Sequence, residues 1–173
     1  MSLPKTGFDA HIDERTRVVI LGSLPGEQSL SERRYYAHPS NQFWKLVGAV
    51  LDRDLVTLPY TQRISALLHG GIGLWDVVKS AHRRGSGDAE IRDAQANALA
   101  QFAASIPGLR ALAFNGAKAA AIGRTQLAGL SGLTEPALVD LPSSSAAHAA
   151  MPLAEKRKIW LGLRDFLIPA LQP

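Results

Sequence analysis

Two rhythms of apolar residues alternate along this chain. Arg17-Val18-Val19-Ile20-Leu21-Gly22 is a short β-branched run closed by glycine, which predicts a buried strand. Gln42 to Leu51 predicts a helix, with Phe43, Leu46, Val47 and Val50 on one stripe. Tyr60 to His69 predicts another, carrying Ile64, Leu67 and Leu68 and ended by Gly70-Gly71. Ile72 to Val78 predicts a second buried strand, followed by a basic loop with Lys79, His82, Arg83 and Arg84. Asp88 is placed to cap a helix that carries Ile91, Ala94, Ala98 and Phe102 and stops near Pro107-Gly108. Leu109 to Phe114 predicts a third strand, Gly116 to Ile122 an alanine-rich helix and Ala137 to Leu141 a fourth strand. A last helix is expected over Pro152 to Ile168, with Ile159, Leu163, Phe166 and Leu167 inward.

Strands that alternate with helices imply an α/β fold, a three-layer α/β/α arrangement around a central four-stranded, mainly parallel sheet. Ligands bind such sheets at the carboxyl ends of the strands. The loops after Leu21, Trp75, Phe114 and Leu141 are therefore where chemistry is expected. No repeat, low-complexity tract or linker divides the chain, so residues 1–173 are expected to form a single domain.

The composition narrows the field. The chain has 173 residues, 46% of them hydrophobic, enough for one core. It contains no cysteine, which removes disulfides, thiol nucleophiles, Cys-ligated zinc and iron–sulfur clusters together. No apolar run reaches membrane-spanning length and no signal-peptide core is present, so a soluble cytoplasmic or nucleoid-associated protein is the expectation. The formal net charge of +4 is compatible with a polyanionic partner without requiring one.

Candidate chemistry gathers in the predicted strand-end loops. Gly22-Ser23-Leu24-Pro25-Gly26 is a tight turn whose glycines let backbone approach a ligand and whose amides can face an anion or carbonyl oxygen. It is otherwise an ordinary strand-to-helix turn. Tyr35 to Trp44 crowds aromatics, His38 and the Asn41 carboxamide before a helix. Asn41 either caps that helix or orients a water, which a carboxamide can hold but not deprotonate. Asn115 and Asp76 end strands at the ligand edge, as readers of a base or as caps of the next element. Ser143, Ser144 and Ser145 offer hydroxyls and turn amides for phosphates, or form a flexible loop. Lys79, Arg83, Arg84 and Lys118 near the same edge are phosphate contacts or solvated surface charge.

The turn GSLPG at Gly22 to Gly26, the block YYAHPSNQFW at Tyr35 to Trp44 and LPSSS at Leu141 to Ser145 together resemble the three signatures of the uracil-DNA glycosylase superfamily. GIGLWDVV at Gly71 to Val78, RRGSGD at Arg83 to Asp88, and Asn115-Gly116 resemble its hypoxanthine-DNA glycosylase branch. The resemblance implies excision of a deaminated base from DNA by hydrolysis of its N-glycosidic bond after base flipping, hypoxanthine favoured. It implies no cofactor, no metal, no membrane and a monomer acting on damaged DNA. By the same resemblance Asn41 is catalytic and orients the water. Gly22, Ser23, Leu24, Tyr36 and Asn115 bind the base, with Tyr36 stacking under it. Ser143, Ser145, Ala147 and His148 meet phosphates or wedge into the duplex.

The chain departs from the family in two places. Related branches carry Asp or Asn just before the turn's proline to position water, and Leu24 stands there. Ala146 and His148 stand where this branch more usually has Pro and Asn, and Ala147 is small for a wedge. Two other readings follow: a glycosylase for uracil, xanthine or mismatched bases, and a non-catalytic nucleic-acid-binding module on the same fold. A nucleotide-binding α/β enzyme is disfavoured, because neither a P-loop lysine motif nor a glycine-rich dinucleotide fingerprint is present.

Overall fold

The computed structural model describes residues 3–129 and 135–168. A four-stranded parallel sheet is ordered β3-β2-β6-β7, built from β2 (Val18–Gly22), β3 (Ile72–Asp76), β6 (Ala111–Asn115) and β7 (Ala137–Leu141). All five residues of β2 are buried, as the unbroken apolar run predicts for a central parallel strand. Its side chains alternate between two cores. Val18 and Ile20 pack with α2 (Phe43–Leu51), α3 (Tyr60–His69) and α6 (Leu153–Trp160) through Phe43, Leu67 and Trp160. Val19 and Leu21 pack with α4 (Leu99–Ala104) and α5 (Ala117–Leu127) through Leu99 and Ala119. Helices thus cover both faces of the expected sheet.

The register carries function. Gly22 pairs with Asp76, Leu21 with Phe114, and Asn115 with Leu141. The carboxyl ends of the four strands therefore finish level, and Gly22, Asp76 and Asn115 share one edge.

Three expectations are corrected. The segment after Val77 is not a basic loop: Val78–His82 forms β4, flanked in a second, antiparallel sheet by β1 (Lys5–Thr6) and β5 (Arg92–Ala96). Val78 and Ala81 are buried in the second core, so sheet pairing wins over the segment's polarity. The long helix expected behind Asp88 is a strand followed by the short α4, because Ala94 and Ala98 are exposed and the buried apolar residues Ile91, Leu99, Ala103 and Ile106 do not form one continuous helical stripe. Asp88 begins a single 3-10 turn (Asp88–Glu90) and caps no helix with its side chain. The last helix is interrupted by a 3-10 turn, Leu161–Leu163, before α7 (Arg164–Leu167), and Ile159 faces outward at 44% exposure.

Candidate active site at the carboxyl edge of the sheet

A cleft of about 310 Å³ opens at the level strand ends, lined among others by Gly22, Tyr36, Asn41, Asp76, Asn115 and Ser143. Its floor is close-packed. A Cβ on Gly22 would lie 2.7 Å from Asp76 Oδ1 and 3.0 Å from the Tyr36 hydroxyl, so only glycine fits there. The turn that follows is stapled from below by Arg83. Its guanidinium donates to the carbonyls of Leu24 (3.1 Å), Pro25 and Gly85 (3.0 Å). Arg83 is consequently buried, which takes it out of the set of phosphate contacts. Lys79 and Arg84 are exposed and Lys118 is half-buried. Ser23 donates its hydroxyl proton to Asp88 Oδ1 at 2.5 Å, and Glu27 N–H donates to Ser86 Oγ at 2.9 Å, so the 83–88 loop wraps the turn. Leu24 is 5% exposed and packs into the second core, although it also touches the cleft.

The aromatic loop supplies one wall. Tyr36 has φ 53°, in the left-handed region, and its ring stacks on Phe43 at 3.8 Å with an interplanar angle of 11°. Trp44 Nε1 donates to the Tyr36 carbonyl at 3.3 Å, and Asn115 Nδ2 to the Tyr36 hydroxyl at 3.2 Å. Phe43 and Trp44 belong to the core. His38 is exposed at the rim and accepts the Ser40 N–H on Nδ1.

Asn41 is half-buried on the cleft wall. Its Oδ1 accepts the Phe43 N–H at 2.9 Å, an Asx turn that starts α2. Gln42 is the N-cap residue of α2, so Asn41 holds the first helical N–H from the position before the cap. A carboxamide oxygen has a second lone pair, so that bond leaves room for a water on the same group.

The loop after β7 forms the opposite wall. Asn115 Nδ2 donates to Ser144 Oγ at 2.9 Å, and Ser144 N–H donates back to Asn115 Oδ1 at 2.9 Å. Asn115 lines the cleft with both amide protons already engaged, on Ser144 and Tyr36. Ser143 Oγ accepts the Ser145 N–H and Ser145 Oγ accepts the Ala147 N–H, each at 3.2 Å. Ser143 and Ser145 are half-buried; Ala146, Ala147 and His148 stand exposed beyond them.

Sequence patterning alone did not single out Lys156. It is 1% exposed and donates to Gln42 Oε1 (3.1 Å) and the Ser145 carbonyl (3.3 Å), both neutral. Burial lowers its pKa. Gln42 N–H donates in turn to the Ser144 carbonyl at 2.8 Å, so Lys156 and Gln42 tie the Asn41 segment to the serine loop. The signal was its spacing: Lys156 lies one helical turn before Trp160 on the buried face of α6.

Asp76 is 3% exposed at the bottom of the cleft. Its Oδ2 and the neighbouring Tyr35 hydroxyl are both buried and face each other, and among the described residues neither has a hydrogen-bond partner within ordinary geometry. Burial pushes the Asp76 carboxyl up to about 7; Tyr35 and Arg83 pull against this shift and Asp88 adds to it. The Tyr35 and Tyr36 hydroxyls are pushed up as well, by burial first and then by Asp76. Among the described residues, no group of three or more His, Asp or Glu gathers to hold a metal ion. Nor is any helix among them long and apolar enough to cross a membrane. The site's chemical means are thus a cleft walled by an aromatic ring, a carboxamide on its wall and a buried carboxyl in its lining.

Comparison with known proteins points the same way. The model of the family described as the Uracil DNA glycosylase superfamily matches residues 10–164. Two curated proteins named hypoxanthine DNA glycosylase are similar to this chain. The one from Methanosarcina barkeri is 42% identical over 116 residues, 67% of this chain and 73% of its own length. The one from Methanosarcina acetivorans is 43% identical over 115 residues, 66% of this chain and 73% of its own. A solution NMR structure from Methanosarcina acetivorans, described as a candidate uracil DNA glycosylase, superposes with a TM-score of 0.82 at 35% identity. That match covers 95% of this chain and 99% of the other. With the ordered signatures placed around one cleft, the chain belongs to the uracil DNA glycosylase superfamily.

Proposed function

We propose that this protein is a monofunctional DNA glycosylase that removes hypoxanthine from DNA, leaving an abasic site. The observation that carries the reading is the Asn41 carboxamide, held on the wall of a cleft that it shares with Tyr36. Two relatives named for hypoxanthine support the choice of base. A base inside the duplex is unreachable, so it must first be extruded. Tyr36, braced by Phe43, stacks on the flipped ring, an interaction worth about 1–3 kcal/mol. Gly22, Ser23 and Leu24 let backbone approach the base edge, and Asn115 holds Tyr36 and the serine loop in place. Asn41 cannot deprotonate water. It orients one towards C1′, and its oxygen dipole favours the oxocarbenium charge that develops as the bond breaks.

Ser143 and Ser145 grip the flanking phosphates. Ala147 and His148, exposed beyond them, fill the gap left by the base. In this reading residues 1–173 are one glycosylase domain, working as a monomer in the cytoplasm.

The test is a set of oligonucleotides, each with one hypoxanthine, uracil or xanthine, in single and double strands, treated with alkali after incubation. Alkali-dependent breaks at hypoxanthine are expected. Asn41→Ala should slow them by about 10²-fold or more while DNA affinity is retained. Intact strands throughout would favour the second reading, a non-catalytic binding module. That reading draws on Leu24, which packs into the core where related branches carry a polar residue.

A further inference from the structure

We propose that Asp76 is the general acid of this site: its carboxyl gives a proton to N7 of the departing hypoxanthine as the C1′–N9 bond breaks. The inference rests on the glycosylase reading and adds a step that Asn41 cannot perform. A carboxamide has no proton acidic enough to transfer at neutral pH, yet a purine leaves far more readily as a neutral molecule than as an anion.

Two carboxylates line the cleft, Asp76 and Asp88, and of these Asp88 is already bonded to the Ser23 hydroxyl. Asp76 ends β3 level with Gly22 and lines the cleft; its Oδ1 lies against Gly22, where a Cβ would come within 2.7 Å of it and 3.0 Å of the Tyr36 hydroxyl. Among the described residues, buried Oδ2 has no hydrogen-bond partner within ordinary geometry, and the Tyr35 hydroxyl is the group that faces it. No lysine or arginine forms an ion pair with this carboxylate among the described residues. Arg83, the cation that acts on it, is engaged by backbone carbonyls. The groups facing Asp76 are the Tyr35 and Tyr36 hydroxyls from the aromatic loop, Arg83 after β4 and Asp88 in the 3-10 turn. Asp88 is itself bonded to Ser23. A buried carboxyl poised near 7 is protonated often enough at neutral pH to donate, and acidic enough to let go.

The step balances. The C1′–N9 electron pair passes to the purine, and the Asp76 proton goes to N7, so the base departs neutral. Water adds its oxygen to C1′, and its proton returns to the Asp76 carboxylate, directly or through solvent. The acid is restored and the net reaction is hydrolysis.

Single-turnover excision from otherwise identical single-stranded oligonucleotides tests this, using hypoxanthine and its 7-deaza analogue, with the wild-type protein and Asp76→Asn. Wild-type excision of hypoxanthine should fall as pH rises above about 7. Asp76→Asn should slow it by about 10²-fold and lose that alkaline limb. The analogue, with carbon at position 7, should be excised slowly by wild type and no more slowly by the variant. The inference is overturned if wild type excises both bases equally fast, if the variant slows both by the same factor, or if the alkaline limb survives in the variant. An equal slowing would mark Asp76 as a structural partner of Tyr35. A wild-type protein that excises no hypoxanthine at any pH overturns the glycosylase reading itself, a different result from any of these.

Discussion

Asn115 and Ser144 hold each other reciprocally: the carboxamide donates to the serine hydroxyl and accepts from the serine amide, both at 2.9 Å. The remaining amide proton reaches the Tyr36 hydroxyl, so one side chain spans both walls of the cleft. Asn115→Ala leaves the buried Ser144 N–H without a partner and should cost about 1–3 kcal/mol in urea unfolding. Excision should fall in the same variant, because the aromatic wall and the serine loop lose their common tie. Unchanged single-turnover rates would show that Phe43 and Trp44 hold Tyr36 without Asn115.

Gly22→Ala puts a methyl group 2.7 Å from Asp76 Oδ1 and 3.0 Å from the Tyr36 hydroxyl. Both belong to packed walls, so they must shift. Turnover is expected to drop by roughly 10²-fold, the scale of a small misplacement at a reacting centre. Excision assays beside a thermal melt check this, and full activity in a folded variant would refute it.

Arg83→Ala removes three hydrogen bonds to carbonyls of the turn and its neighbouring loop. Two of those bonds are buried, and the loss should cost about 2–3 kcal/mol or more. The adjacent Arg84 is exposed, and Arg84→Ala should stay within about 0.5 kcal/mol of wild type. Urea titrations of the pair measure the contrast.

Asp76 makes stability depend on pH in a stated direction. Its folded pKa, about 7, lies above the ordinary carboxyl value of 3.8. Between these values the folded chain binds the proton and the unfolded chain does not, so this group's contribution declines as pH rises from about 4 to about 7 and is level above. Asp76→Asn should therefore be more stable than wild type at pH 8, by an amount on the order of a few kcal/mol, with the gap closing towards pH 4. Melting curves across that range decide it; a gap that widens in acid would refute the assignment.

Lys156 is a buried cation facing only neutral oxygens. Lys156→Met relieves that burial and should leave stability unchanged or raised. It also cuts the tether between Gln42 and Ser145, so excision should decline while the melting temperature does not. A variant that loses both together would show the lysine to be a folding element instead.

The four parallel strands were legible because central strands are apolar on both faces: Val18–Gly22 and Ala111–Asn115 bury every residue. The second sheet was not. Arg92, Asp93, Ala94 and Gln95 are exposed, and the strand exists because its backbone pairs with Val78–His82, a partner that no local pattern reveals. Asn41, Tyr36 and the serine loop were legible as ordered motifs. Arg83 looked like a surface charge, and its burial follows from carbonyls contributed by a turn far away in sequence. Asp76 was legible as a strand end that reads a base or caps the next element; its burial and its place beside Gly22 come from the register.

The level strand ends have a consequence for how the molecule fails. Positions 22, 36, 76, 115 and 144 are neighbours in space and distant along the chain, so no contiguous fragment carries the cleft. A single proteolytic nick that releases either terminal third removes at least one wall. Catalysis is thus a readout of cooperative assembly: it should disappear with the whole fold in denaturant, not piecemeal ahead of it.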